Sequence, residues 1–155
     1  MGVMKKIAWL ILVVIFFGIL QFFGGSRPEV SEPTPADLFQ SAQVPKEVAS
    51  LLRNSCYDCH SNETKYPWYA GVAPVSWLVY RDVREGRKEL NFSVWSALRL
   101  SQKAKMLTKI EREVSEGEMP MFIYPLMHGH ARLSQADRKL ISNWTESYGE
   151  SLFSE

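Results

Sequence analysis

From Ile7 to Phe23 the chain reads IAWLILVVIFFGILQFF, with no charge and with Gln21 as its single polar side chain. A helix that is apolar all round cannot be half-buried on the surface of a small domain, so this stretch is expected to leave the folded body and cross a bilayer. Its length is near the lower limit for spanning the hydrocarbon core. Lys5 and Lys6 stand just before it. Basic flanks stay in the cytoplasm, which puts everything after Gly25 on the outer side. A cleaved signal would carry a small-x-small site behind a shorter apolar run. Phe22-Phe23-Gly24-Gly25-Ser26-Arg27-Pro28 offers the peptidase little, so a retained anchor over residues 1–25 is expected, with a cleaved signal as the alternative.

Residues 26–44 hold Pro28, Pro33 and Pro35 among Ser, Thr and Glu, a composition that reads as a Pro-rich tether. A folded unit is expected over 45–150, opening at Pro45 in the first turn of a helix. It is of modest size, and a bound cofactor would help to complete its core. The 155 residues carry 18 Lys plus Arg against 17 Asp plus Glu. That balance leaves no basic face for nucleic acid.

Within the unit, the spacing predicts a helix over Lys46–Asn54, with Val48, Leu51 and Leu52 on one face. A second is expected from Pro74 to Gly86, with Val75, Leu78, Val79 and Val83 inward and Gly86 as its stop. A third runs from a Ser101 cap to Glu116, with Leu107, Ile110 and Val114 on its stripe and Gly117 closing it. Ser134, with Asp137 three residues on, opens a fourth, whose apolar face is Leu140, Ile141, Trp144 and Tyr148. No alternating runs suggest a sheet. The expected class is small all-α.

The first helix leads into Cys56-Tyr57-Asp58-Cys59-His60, the C-x-x-C-H pattern of covalent haem attachment. Two thiols at this spacing can each add to one vinyl group of a single porphyrin, and the histidine that follows can ligate its iron. Export agrees with this, because c-type haem is attached outside the cytoplasmic membrane. Three other readings are weaker. A thioredoxin-like dithiol needs a βαβ context. Zinc would need a second ligand pair and a less awkward geometry than adjacent Cys59 and His60 allow. A disulfide across so short a loop would be strained and would contribute little.

The opposite iron ligand is open among a few candidates. Met119, in Gly117-Glu118-Met119-Pro120, can present a thioether and would raise the potential relative to two histidines. His128 or His130 would give a bis-His site of lower potential, Met121 and Met127 lie close in sequence, and an open position is the remaining choice. A methionine in such a loop can also simply fill a gap.

The chain resembles the bacterial haem-binding domain family. The likeness is carried by Asn54 to Thr64 around the motif, Tyr66-Pro67-Trp68-Tyr69, Ala73-Pro74-Val75-Ser76-Trp77, Asp82-Val83, Glu85-Gly86-Arg87, Asn91-Phe92-Ser93 and Trp95. It continues through Gly117-Glu118-Met119-Pro120, Tyr124, His128, Ala131 and Leu133-Ser134. The resemblance implies one haem c held by Cys56 and Cys59, with His60 proximal and with Met119 and His128 as positions to weigh. More distantly, the motif, a later Met-Pro and a terminal amphipathic helix are similar to monohaem cytochrome c.

The expected protein is a single-pass cytochrome of the bacterial cytoplasmic membrane, with a cytochrome c-like helical domain facing the periplasm or exterior and passing single electrons to redox partner proteins. The alternative is a haem-based sensor or small peroxidase-like protein with an open distal site. Tyr66, Trp68, Tyr69, Trp77, Phe92 and Trp95 are expected to pack around the haem and exclude water, or else to line a ligand entrance. Arg81, Arg84, Arg87 and Lys88 read as a solvated helix face, with haem propionates or an acidic redox partner as the functional alternative.

Overall fold

The computed structural model describes residues 2–154. Among them every regular element is helical. Helix α1 (Gly2–Leu20) continues into a 3₁₀ turn at Gln21–Phe23. It is long and apolar enough to cross a membrane, and none of it is buried against the rest of the chain.

The body consists of α2 (Leu38–Ser41), α3 (Lys46–Ser55), α4 (Tyr57–His60), α5 (Val75–Glu89), α6 (Leu100–Ser115), α7 (Ile123–Met127) and α8 (Gln135–Ser151). Further 3₁₀ turns lie at Trp68–Gly71, Phe92–Ala97 and Gly129–Ala131. Helices α6 and α8 form the main layer, and α3 closes against α8.

The α6 stripe Leu107, Ile110 and Val114 is buried, as the spacing predicts. Gly117 ends that helix at φ +84°, a backbone region glycine enters without steric cost. Helix α6 begins slightly earlier than expected: Arg99 is its cap, and the Arg99 N–H donates to Gln102 Oε1 at 3.0 Å. Ser134 and Asp137 exchange the bonds of a capping box at the start of α8. Ile141 and Trp144 are buried beneath it, whereas Leu140 is exposed. Pro45 stands one residue before α3, at its cap.

Helix α5 departs from expectation twice. It runs through Gly86 to Glu89. Gly86 serves close approach instead: a Cβ there would lie 2.6 Å from the Cys59 carbonyl oxygen. The buried face of α5 is Ser76, Tyr80 and Val83, while Val75 and Leu78 are exposed. The helix lies against α4 and the Trp68–Gly71 turn, and Gly86 permits an approach to α4 that a bulkier residue would block.

The Pro-rich segment is not a free tether. Asp37 and Leu38 are fully buried, and α2 packs on the Phe92–Ala97 turn. Asp37 accepts from the Phe39 N–H at 2.9 Å and from the Tyr57 hydroxyl at 3.1 Å. Upstream, Arg84 and Arg87 donate to the carbonyls of Ser26 (2.9 Å) and Glu29 (2.8 Å). Composition shows only that such a segment cannot fold alone. In its upstream part the carbonyls of Ser26, Pro28 and Glu29 are collected by side chains of the body. A ladder of rings then crosses the core: Phe39 on Tyr57 at 4.6 Å, Tyr57 on Phe92 at 5.0 Å, and on through Trp95 to Tyr148.

Candidate functional site

Helix α3 delivers its last turn into Cys56, and α4 is the single turn that carries Cys59 and His60. Tyr57, between the cysteines, points into the core and locks the loop through its ring stack and its bond to Asp37. Asp58 points the other way. Its carboxylate accepts from the Lys65 N–H at 2.9 Å and from the Tyr124 hydroxyl at 2.6 Å, which ties α7 to the motif. Burial, and then the bond to Asp58, hold the Tyr124 phenol well above its ordinary range.

Both cysteines and His60 line one cavity of about 290 Å³. Its walls are apolar: Leu90, Phe92, Met106, Ile110, Val114 and Tyr124. Asp82, Glu85, Glu89 and Glu113 contribute charged edges, together with Lys109, which pairs with Glu89.

His60 Nδ1 lies 2.9 Å from the Gly86 carbonyl oxygen and 3.1 Å from that of Leu90. Both partners are acceptors, so Nδ1 carries the proton and Nε2 keeps its lone pair, the arrangement of a metal-ligating imidazole. Desolvation by burial lowers the pKa of this ring, which favours the neutral form a ligand needs.

The two thiols are unpaired. Burial, with a contribution from Cys59, pushes Cys56 up to about 12. Cys59 is pushed up to about 12 by burial and then by Asp58 and Asp82. Thiols held this firmly protonated are the reverse of a reactive dithiol, which needs a lowered pKa. Among the described residues no group of three His, Cys, Asp or Glu is arranged to hold a metal ion.

Met119 and Met121 also line the cavity. Met119 is held through its backbone: its N–H donates to the Glu113 carbonyl at 2.9 Å, and Arg138 of α8 donates to its carbonyl at 2.9 Å and to that of Val114 at 2.6 Å. His128 is not part of the cavity wall. Its Nε2 lies 3.2 Å from the Tyr69 hydroxyl, and its ring stacks on Tyr124 at 4.3 Å.

The packing expected of the aromatic residues of 66–95 needs correction. Of the six aromatic residues expected around the haem, only Phe92 lines the cavity. Trp95 is fully buried in the core ladder, and Trp68 is 86% exposed. The basic cluster lies on the solvated face expected of it and outside the cavity wall: Arg84 and Arg87 hold the Pro-rich segment, Arg81 pairs with Asp82, and Lys88 pairs with Glu85. The cation in the cavity wall is Lys109.

The carbonyls of Gly86 and Leu90 and the anchor Arg138 escape sequence reading, because backbone acceptors and side chains from remote helices leave no local pattern.

The model of the haem-binding domain family matches residues 15–147. The chain belongs to that family. No curated protein and no solved structure matches it. The donor set fits the group that names the family: one apolar cavity brings together two unpaired thiols, an imidazole with Nε2 free and a thioether side chain. Haem binding is thus common ground between the family and the geometry.

Proposed function

We propose that this protein is a membrane-tethered monohaem cytochrome of the c type that transfers single electrons on the outer face of the bacterial cytoplasmic membrane. The observation that carries this reading is the shared cavity of Cys56, Cys59, His60 and Met119, with His60 Nδ1 committed to backbone carbonyls. In it, Cys56 and Cys59 would hold the porphyrin by thioether bonds, and His60 Nε2 on the proximal side and Met119 on the distal side would ligate its iron. When bound, the haem would supply one-electron chemistry.

The protein's own part is to orient and to exclude water. Gly86 and Leu90 fix the imidazole plane, Arg138 fixes the Met119 turn, and the apolar walls keep the site at low dielectric. Lys5 and Lys6, in the first turns of α1 just before its apolar run, support an orientation with the body outside. Other redox proteins are the partners.

The test is the full chain, produced in a host with the c-type attachment machinery and extracted with acidic organic solvent. Haem is expected to stay on the protein and to give a sharp low-spin band on reduction. Met119→Ala should open the ferrous iron to CO, whereas His128→Ala should leave the spectrum unchanged. Freely extracted haem would overturn covalent attachment. Ready CO binding by the unaltered protein would instead favour a sensor or peroxidase-like site.

A further inference from the structure

Helix α1 does not end clear of the body. Gln21, the one polar side chain in its apolar run, accepts from the Ala73 N–H at 2.9 Å and donates to the Ala73 carbonyl at 3.2 Å. From there the chain travels in the same direction as α5, held by Arg84 at Ser26 and by Arg87 at Glu29. The Ala73 end of the body is therefore the bilayer end. At 1.5 Å per helical residue, Gly86 and the imidazole it holds lie about 20 Å farther out.

The surface at that end is unusual for a water-soluble domain. Between Lys65 and Arg81 the chain has no charged residue. Trp68 is 86% exposed, and Val72, Val75 and Leu78 are 44%, 43% and 42% exposed. Val75 and Leu78 belong to the face that periodicity assigns to a core, yet of that face α5 fully buries only Val83 and turns Ser76 and Tyr80 inward instead. Tryptophan is favoured at the membrane–water boundary, where its ring meets acyl chains and its N–H stays wet.

We propose that Trp68, Val72, Val75 and Leu78 rest in the interfacial layer of the bilayer that α1 spans. The Gln21–Ala73 pair acts as the hinge pin, so the haem domain is held at a fixed height and orientation and does not swing on a tether. The occupant is lipid because the patch is continuous with α1 through Gln21 and because the chain from Tyr66 to Tyr80 carries no charge that would keep it in water. This proposal rests on reading α1 as membrane-spanning.

The experiment uses the full chain in vesicles of phosphatidylethanolamine and phosphatidylglycerol. Single nitroxides are introduced at Phe16→Cys, Trp68→Cys and Lys88→Cys, and the unaltered chain is carried through the same labelling as background. Relaxation by oxygen reports lipid, and relaxation by a water-soluble nickel chelate reports solvent. The labels at 16 and 68 are expected to respond more to oxygen and the label at 88 more to nickel. Adding Gln21→Ala should move the label at 68 toward nickel.

A label at 16 in lipid with one at 68 exposed to nickel overturns the docking alone. So does a label at 68 shielded from both reagents, which would mean that protein covers the patch. A nickel-exposed label at 16 overturns the membrane reading itself.

Discussion

Replacing Gly86 by alanine separates two effects of opposite sign. Inside a helix, alanine is favoured over glycine by up to about 1 kcal/mol. At this position, however, the new Cβ would meet the Cys59 carbonyl oxygen at 2.6 Å, its carbon at 3.1 Å and the Cys59 Cβ at 3.2 Å. These are mostly backbone atoms that no rotamer change can move. Helix α5 must therefore draw back from the motif by roughly half an ångström or more to reach ordinary contact. Over-packing of this kind costs about 1–3 kcal/mol, which set against the propensity gain leaves a net loss of up to about 2 kcal/mol. For a body of this size that is a fall in Tm of several degrees, at roughly 4–8 °C per kcal/mol. The same retreat lengthens the bond from His60 Nδ1 to the Gly86 carbonyl, now 2.9 Å.

Gly149 provides the control. It lies within α8, and the nearest atom to its added Cβ is the Leu107 Cδ1 at 3.8 Å, an ordinary contact. Gly149→Ala should leave Tm unchanged or raise it, whereas Gly86→Ala should lower it and perturb the haem spectrum. Both are read by thermal denaturation of the holo-protein. A Gly86→Ala protein as stable as the Gly149→Ala protein, with an unaltered spectrum, would refute the close-approach argument.

Leu38→Ala should cost about 2–5 kcal/mol in denaturant unfolding, although it falls in a segment that composition marks as a tether, because Leu38 is fully buried. Tyr57→Phe keeps the ring stack but removes a donor from the buried Asp37, for a loss of about 1–3 kcal/mol. Burial and then Asp37 raise the Tyr57 pKa. A raised value means stability that is fully present below the unfolded phenol's pKa, about 10, and lost as pH climbs toward the folded value. Tyr57→Phe should accordingly flatten the alkaline limb of Tm against pH, and an unchanged limb would count against the assignment. Arg138→Ala frees the Met119 turn and should let CO compete at the ferrous iron, followed by absorption after reduction.

The sequence by itself determined the local features of this protein. The apolar run from Ile7, the stripes of α3 and α6, the caps at Ser134 and Gly117 and the C-x-x-C-H spacing each depend on residues within a few positions of one another, where periodicity and backbone preference act directly. Tertiary structure decided what depends on approach between distant segments. It turned Gly86 from a stop into a contact with Cys59, drew Leu38 into the core, and sent Arg84 and Arg87 to the Pro-rich strap. It also exposed Val75 and Leu78 on the face of α5 that looked internal. Hydrophobic pattern states how much apolar surface a helix has to cover, but the shape of its neighbours decides which face is covered, and at the Ala73 end part of that surface was left for something outside the fold.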